Sequence, residues 1–312
     1  MKLIFMGTPE FSVPSLKKLY EAGFEIPLVI TQPDRRSGRG KKVRFSPVKE
    51  FALKKGIDVY QPENINTEES KKIISEIKAD IMIVVAFGMI LKEDILKIPK
   101  ATINVHASIL PKYRGASPIN AAIINGDEIT GVTIMEVEKG LDSGDILAIE
   151  EVNIDGMNSE DLTVKLSEIG GNLLVKVMED FDNYYRSKKP QDHEKATYTG
   201  KITKDMGNID WSKSSKEILN LVRGLVPWPS AYSYYQGDQF KIHSAVSVDT
   251  TKEGQAGEIL DISKEGIIIK TGDGAIKVNE FQMPGKRKMT VSEYLVGNKL
   301  NKEILGGMQY DN

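Results

Sequence analysis

The run Ile81-Met82-Ile83-Val84-Val85-Ala86 is apolar on both faces. A strand with one wet side alternates polar and apolar residues. A strand that is apolar throughout needs cover on both sides, as the middle of a parallel sheet has. This strand is read over 81–87, and similar runs at 2–6, 26–31 and 102–106 read as its neighbours. Amphipathic stretches at 12–22, 47–55 and 68–78 separate them and read as helices. Strands alternating with helices define an α/β domain built on an open, mostly parallel, Rossmann-like sheet.

Two more strands are expected at 132–137 and 146–152, with a helix opening at Ser117-Pro118 between them and strand 102–106. One long helix is expected over 159–185. Leu162, Leu166, Ile169, Leu173, Val177 and Phe181 recur there at helical spacing. Residues 187–199 are polar and offer little to bury, so a linker is placed there. The pattern then changes to a helix at 215–224 and short strands at 232–235, 240–248, 257–261, 266–270 and 275–281. Asp273-Gly274 marks a hairpin between the last two. The expected layout is a catalytic domain at 1–189, a linker at 190–204 and a smaller, OB-like β-barrel domain at 205–312.

Composition narrows the chemistry. None of the 312 residues is cysteine, which excludes disulfides, thiolate metal sites and a cysteine nucleophile. The net charge of −2 argues against a generally basic surface, though a local patch can hide in a balanced total. The opening apolar run is interrupted at Gly7-Thr8-Pro9-Glu10, too soon for a signal peptide core, and no later run suits a bilayer span. A cytoplasmic location is expected.

The segment Asn104-Val105-His106-Ala107-Ser108-Ile109-Leu110-Pro111 carries the strongest chemical signal. Asn104 and His106 are two apart on one strand and share a face. They sit at its carboxyl end, where open α/β sheets bind ligands. An amide can donate to a carbonyl oxygen, and an imidazole can donate or accept. A lone strand histidine is more often just a satisfied side chain, and the residues alone leave both readings open. Gly140-Leu141-Asp142-Ser143-Gly144-Asp145 is a tight polar turn. Asp142 there is either functional or a turn former.

Asn104-x-His106, then Ser108-Ile109-Leu110-Pro111, Gly131–Met135 and Leu141-Asp142-Ser143-Gly144 downstream resemble the folate-dependent formyltransferases. The opening Gly7-Thr8-Pro9-Glu10-Phe11 fits as well. Ile109 replaces the family's leucine, a change that keeps volume. The resemblance runs through nearly the whole chain, with several separated motifs in order.

The resemblance implies 10-formyltetrahydrofolate as formyl donor, no metal, and Asn104, His106 and Asp142 as the catalytic trio. Asn104 and His106 would stabilise the formyl oxyanion, and Asp142 would orient His106 and assist proton removal. Ser108, Ile109, Leu110 and Pro111 would line the folate site. Phe87, Gly88 and Ile90 are candidates for its walls, although ordinary core at a strand end explains Phe87–Leu91 equally well.

Arg35, Arg36, Arg39, Lys41 and Lys42 cluster with Gly38 and Gly40 in a stretch that cannot pack in a core. It follows a strand's carboxyl end, which places it on the ligand side of the sheet. By resemblance this is the basic loop of members that act on initiator Met-tRNA, with Arg39 as the key position for the acceptor stem. A monomer is expected. Met135, the basic loop and the C-terminal domain argue against a small amine as acceptor. A nicotinamide oxidoreductase lacks its signature, because Gly7-Thr8-Pro9 is not a Gly-x-Gly-x-x-Gly turn and the second strand closes on Thr31-Gln32. A non-catalytic RNA-binding module would leave Asn104, His106 and Asp142 unexplained.

Overall fold

A computed structural model describes residues 1–37 and 42–306, with backbone only at 35–37 and 42–43. In chain order, β1 (Lys2–Gly7), α1 (Val13–Glu21) and β2 (Glu25–Ile30) lead to a hairpin of β3 (Arg35–Ser37) and β4 (Lys42–Arg44). Then come α2 (Pro47–Lys54), β5 (Asp58–Tyr60), α3 (Glu68–Ile77), β6 (Ile81–Val85), α4 (Glu93–Leu96) and β7 (Ala101–His106). After them follow β8 (Arg114–Gly115), α5 (Pro118–Ile124), β9 (Ile129–Glu136), β10 (Ile146–Asn153), α6 (Ser159–Glu179), α7 (Phe181–Arg186) and β11 (Tyr198–Thr199). The last part contains α8 (Ser215–Gly224), β12 (Ala231–Tyr235), β13 (Asp238–Val248), β14 (Ile259–Ser263), β15 (Gly266–Lys270), β16 (Ala275–Gln282), β17 (Met289–Thr290) and α9 (Val291–Leu295).

By packing, Met1–Pro118, Ile129–Asn153 and Thr163–Thr199 form one compact unit. Ile119–Glu128, Ile154–Leu162 and Gly200–Asn312 form the other. The first is a Rossmann-like domain on a sheet ordered β10-β9-β7-β6-β1-β2-β5. Strands β5, β2, β1, β6 and β7 run parallel, and β9 and β10 add on antiparallel beside β7. The chain leaves β1 on one side through β2 and returns on the other at β6. The carboxyl ends of β1 and β6 therefore flank the switch point where such sheets open a crevice.

Alternation along β7 sorts its two faces. Thr102, Asn104 and His106 share one, and Ile103 and Val105 the other. Ile4, Met6, Met82, Ile74 and Ile95 form a core on one side of the sheet. On the Val105 side α6 lies very close, because Gly170 has no side chain. A Cβ there would come within 2.9 Å of Val105 Cγ1 and 3.4 Å of Val132 Cγ1. The expected single helix at 159–185 is in fact two, since Asp180 leaves helical geometry (φ −126°, ψ 39°) between α6 and α7. The apolar stripe continues through the break, so Phe181 is still buried, and periodicity alone could not reveal the interruption.

The second unit is a β-barrel. Its sheet runs β12-β13-β16-β15-β14, with β17 on β16. Residues 303–306 connect the two edges. Tyr234 on β12 exchanges backbone hydrogen bonds with Gly306, and Ile259 N and Leu305 N bond to Glu303 and Gly257 carbonyls on the β14 side. Closing the edges removes unpaired backbone groups that would invite association. Phe240, Phe281, Ile267, Ile269, Ile276 and Val278 fill the interior with Ile218 and Val222 of α8. Trp211 is also buried there and donates from Nε1 to Ser233 Oγ at 3.0 Å. Helix α8 opens with a reciprocal cap between Ser214 and Glu217. Among the described residues no helix is long and apolar enough to cross a membrane.

Gly170→Leu should push α6 off the strand that carries Asn104 and His106. Urea unfolding should show a loss of about 1–3 kcal/mol, the usual cost of overpacking. A variant as stable as the parent would mean that the close approach is not needed.

Candidate active site

Strand β7 ends at a boundary, with β6 parallel on one side and β9 antiparallel on the other. Asn104 pairs in register with Val84 and with Met135. It is half-buried, and among the described residues its side-chain amide has no protein hydrogen-bond partner. His106 is buried, only 6% exposed. Its Nε2 lies 3.0 Å from the carbonyl of Tyr113. A carbonyl only accepts, so Nε2 carries the proton. The other nitrogen, Nδ1, points toward Asp142 Oδ2 at 3.7 Å. That is longer than a hydrogen bond, yet close enough for each charge to feel the other.

Burial holds the His106 pKa below the ordinary imidazole value of 6.5, against the upward pull of Asp142 and of the Tyr113 carbonyl. The ring is therefore neutral at neutral pH, with Nδ1 free to take a proton. Asp142 sits in the left-handed region at φ 46°, which costs a non-glycine residue free energy. Two contacts offset that cost. Its Oδ2 accepts from Gly115 N at 2.8 Å, and its carbonyl accepts from Gln191 Nε2 at 2.9 Å.

The loop after β7 is closed by its own polar groups. Ser108 Oγ donates to Lys112 O at 2.6 Å. Thr133 Oγ1 on β9 donates to Ser108 O at 2.7 Å and accepts from Leu110 N at 3.2 Å. Leu110 is buried, Ile109 is half-buried, and the Leu110–Pro111 peptide is cis. Tyr113, whose carbonyl holds His106, has φ 60°, and its N–H donates to Thr197 Oγ1 at 2.8 Å.

At the switch point Phe87 O accepts from Gln32 Nε2 at 3.0 Å and from Thr8 Oγ1 at 3.2 Å. The Phe87 side chain is 2% exposed and belongs to the core beside Met6 and Ile30. What the loop offers to solvent is Ala86, Gly88 and Ile90. Gly88 has φ 81°, and a Cβ there would meet Gln32 Nε2 at 2.4 Å. Ile90 is 86% exposed.

In the basic segment, Arg35, Arg36 and Lys42 lie on the β3–β4 hairpin, with Arg35 opposite Arg44 and Ser37 opposite Lys42. Arg39 and Lys41 lie outside the described residues. The hairpin is rooted by Asp34, which takes hydrogen bonds from Lys49 and from Gln61 Nε2 at 3.0 Å. Asn104, His106, Asp142 and the Ser108–Pro111 loop are thus joined through β7, Tyr113 and Gly115. The hairpin follows β2 at the same carboxyl edge of the sheet.

Residue patterns gave no warning of Gln191 or Thr197, and no role for Thr133 inside the Gly131–Met135 motif or for Arg114. Gln191 lies in the polar stretch expected to bury little, yet it is 5% exposed and bonded on both ends of its amide. A single buried glutamine in a polar segment leaves no periodic trace. An acidic group of Glu136, Glu138 and Asp145 has its charge offset by Lys188, which pairs with Glu136 and Asp145.

Asn104, His106 and Asp142 thus lie at the carboxyl edge of a Rossmann-like sheet, in a chain that continues into a β-barrel. A family model described as formyl transferase matches residues 1–178, and one described as formyl transferase, C-terminal domain, matches 201–299. Methionyl-tRNA formyltransferase of Alkaliphilus oremlandii is 45% identical over 98% of this chain and 100% of its own length. The protein of that name from Clostridioides difficile is 44% identical over the same shares. The chain belongs to the methionyl-tRNA formyltransferase family.

Solved structures share the fold at lower identity. HypX from Aquifex aeolicus in complex with tetrahydrofolic acid matches with a TM-score of 0.64 and 19% identity, over 97% of this chain and 50% of that one. An N-formyltransferase from Helicobacter canadensis, in complex with folinic acid and dTDP-3-aminofucose, matches with 0.69 and 22%, over 91% and 99%.

The lowered pKa of His106 makes a stability prediction. The unfolded chain binds this proton near 6.5, and the folded chain only at lower pH. Stability is therefore unaffected by this group at high pH and falls as pH drops through the unfolded value. Urea unfolding at about pH 7.5 and about pH 5.5 should show a smaller acid loss in His106→Gln than in the parent. An equal loss in both would mean that His106 does not carry the effect.

Proposed function

We propose that this enzyme transfers the formyl group of 10-formyltetrahydrofolate to the α-amine of methionine on initiator tRNA. The observation that carries the reading is the convergence of Asn104, His106 and Asp142 at one strand end, in a chain with full-length methionyl-tRNA formyltransferase relatives. The donor set fits a formyl carbonyl. A half-buried amide without a protein partner supplies the N–H, and a neutral imidazole beside a carboxylate supplies the proton acceptor.

The amine attacks the formyl carbon directly, so no nucleophilic side chain is required. Asn104 donates from its amide to the formyl oxygen as it becomes an oxyanion. His106 has Nε2 committed to Tyr113, so Nδ1 receives the proton released by the amine, directly or through a water. Once protonated, Nδ1–H adds to the stabilisation of the oxyanion. Asp142 then orients the imidazolium and stabilises its charge. Collapse of the tetrahedral species returns the proton to the departing folate nitrogen. Holding amine and formyl group in register is the remaining task. Ser108–Pro111 and the backbone around Phe87, Gly88 and Ile90 are assigned to the folate side. Arg35, Arg36, Arg39, Lys41 and Lys42 are assigned to tRNA phosphates.

Asn104→Ala and Asp142→Asn should each lower the rate of Met-tRNA formylation by about 10²- to 10³-fold, the scale for losing one oxyanion donor or its equivalent. Circular dichroism should remain that of the parent. Full activity in either variant would remove the trio from the mechanism.

Arg39→Ala should raise KM for Met-tRNA while leaving KM for the folate near the parent value. The tRNA KM should also lose part of its salt dependence, since one phosphate contact is gone. An equal rise in both KM values would contradict the assignment.

A further inference from the structure

The catalytic carboxylate is held from behind by groups that no step of the reaction uses. Gln191 is buried in the first unit, and both hydrogens of its amide are spent on one turn. Nε2 donates to Asp142 O at 2.9 Å and to Gly144 O at 2.8 Å. Its Oε1 accepts from Arg114 Nε at 3.1 Å and from Nη2 at 2.7 Å. Arg114 is itself 2% exposed and has no carboxylate partner among the described residues. Its other contacts are the Tyr198 hydroxyl at 3.3 Å and His193 Nδ1 at 3.0 Å. A buried guanidinium with no carboxylate partner among the described residues is held for its geometry rather than for an ion pair.

The backbone closes the circle. The residue after Arg114 is Gly115, whose N–H holds the Asp142 carboxylate. Residues 189–199 reach around the same two loops. Lys189 and Ile146 exchange backbone hydrogen bonds, Thr197 Oγ1 accepts from Tyr113 N, and β11 pairs with β8. Asp142 is thus gripped at both ends, carboxylate and carbonyl, in a conformation with φ 46° that it would not keep alone.

We infer that Gln191, locked in place by Arg114, is a positioning residue that sets the Asp142 carboxylate against His106. This rests on the role proposed above for Asp142. Gln191 touches no reacting atom. It acts by fixing the turn on which Asp142 stands, and a shift of about 1 Å in a catalytic group can cost of the order of 10²-fold in rate.

Gln191→Glu separates the hydrogen bonds that Gln191 donates from those that it accepts. The carboxylate still accepts from Arg114 but can no longer donate to Asp142 O and Gly144 O. Gln191→Met removes both contacts and serves as the second variant. Rates of Met-tRNA formylation would be normalised to the folded fraction measured by circular dichroism.

Gln191→Glu is expected to lower kcat about 10- to 100-fold, with KM for both substrates within about twofold of the parent. In an Asp142→Asn background the same change should have almost no further effect, because the group it positions is gone. A kcat within twofold of the parent, or an equal fractional loss in both backgrounds, would overturn the inference. If Asp142→Asn alone keeps full activity, the proposed role of Asp142 fails instead. If it is impaired while both Gln191 variants are not, only the positioning role fails.

Discussion

The hydrogen bond from His106 Nε2 to the Tyr113 carbonyl is the interaction on which the site depends. It decides the tautomer, and through the tautomer it decides which nitrogen faces Asp142. It can form only because Tyr113 takes a positive φ, with its own N–H held by Thr197. The loop from β7 to β8 must therefore curl back over the strand that bears the histidine. Thr133 and Ser108 fix the start of that curl, and β8 pairing with β11 fixes its end. A buried imidazole with its donor spent inside the protein is a base with one free position, which is what removal of an amine proton calls for.

The sheet explains why these groups meet. Asn104 and His106 alternate onto one face of β7 at its carboxyl end, while Val105 faces α6 across Gly170. The antiparallel neighbour β9 brings Thr133 opposite His106, and the turn that follows brings Asp142 within reach. Parallel strands on one side and antiparallel strands on the other let a single strand end collect residues from two kinds of connection. The switch point between β1 and β6 lies next to this strand end, where Thr8 and Gln32 shape the 86–90 loop.

Much of this was legible in the sequence, for definite reasons. The central strand was visible because full burial leaves an unbroken apolar run, and α8 and the β15–β16 hairpin because their caps and turn residues are local. Asn104, His106 and Asp142 could be picked out as a motif, but no spacing rule could place residue 142 beside residue 106. Strand β5 went unread, since three residues with mixed burial carry no period. The break at Asp180 was hidden by a stripe that stays apolar through it. Gln191 and Arg114 were hidden because polar residues are normally exposed, and their burial depends on partners far apart in the chain. Barrel closure by residues 303–306 likewise depends on bridges from Ile304 to Glu258 and from Gly306 to Tyr234, 46 and 72 residues earlier.

The proposed reaction passes a formyl group to the amine of methionine on tRNA. The most direct measurement incubates the purified protein with 10-formyltetrahydrofolate and, in separate reactions, initiator Met-tRNA and a small amino-sugar nucleotide. Transfer is followed by appearance of the formylated acceptor. The account predicts rapid formation of formylmethionyl-tRNA and negligible turnover of the small amine. Folded protein that leaves Met-tRNA unmodified, or that formylates the small amine faster, would contradict it.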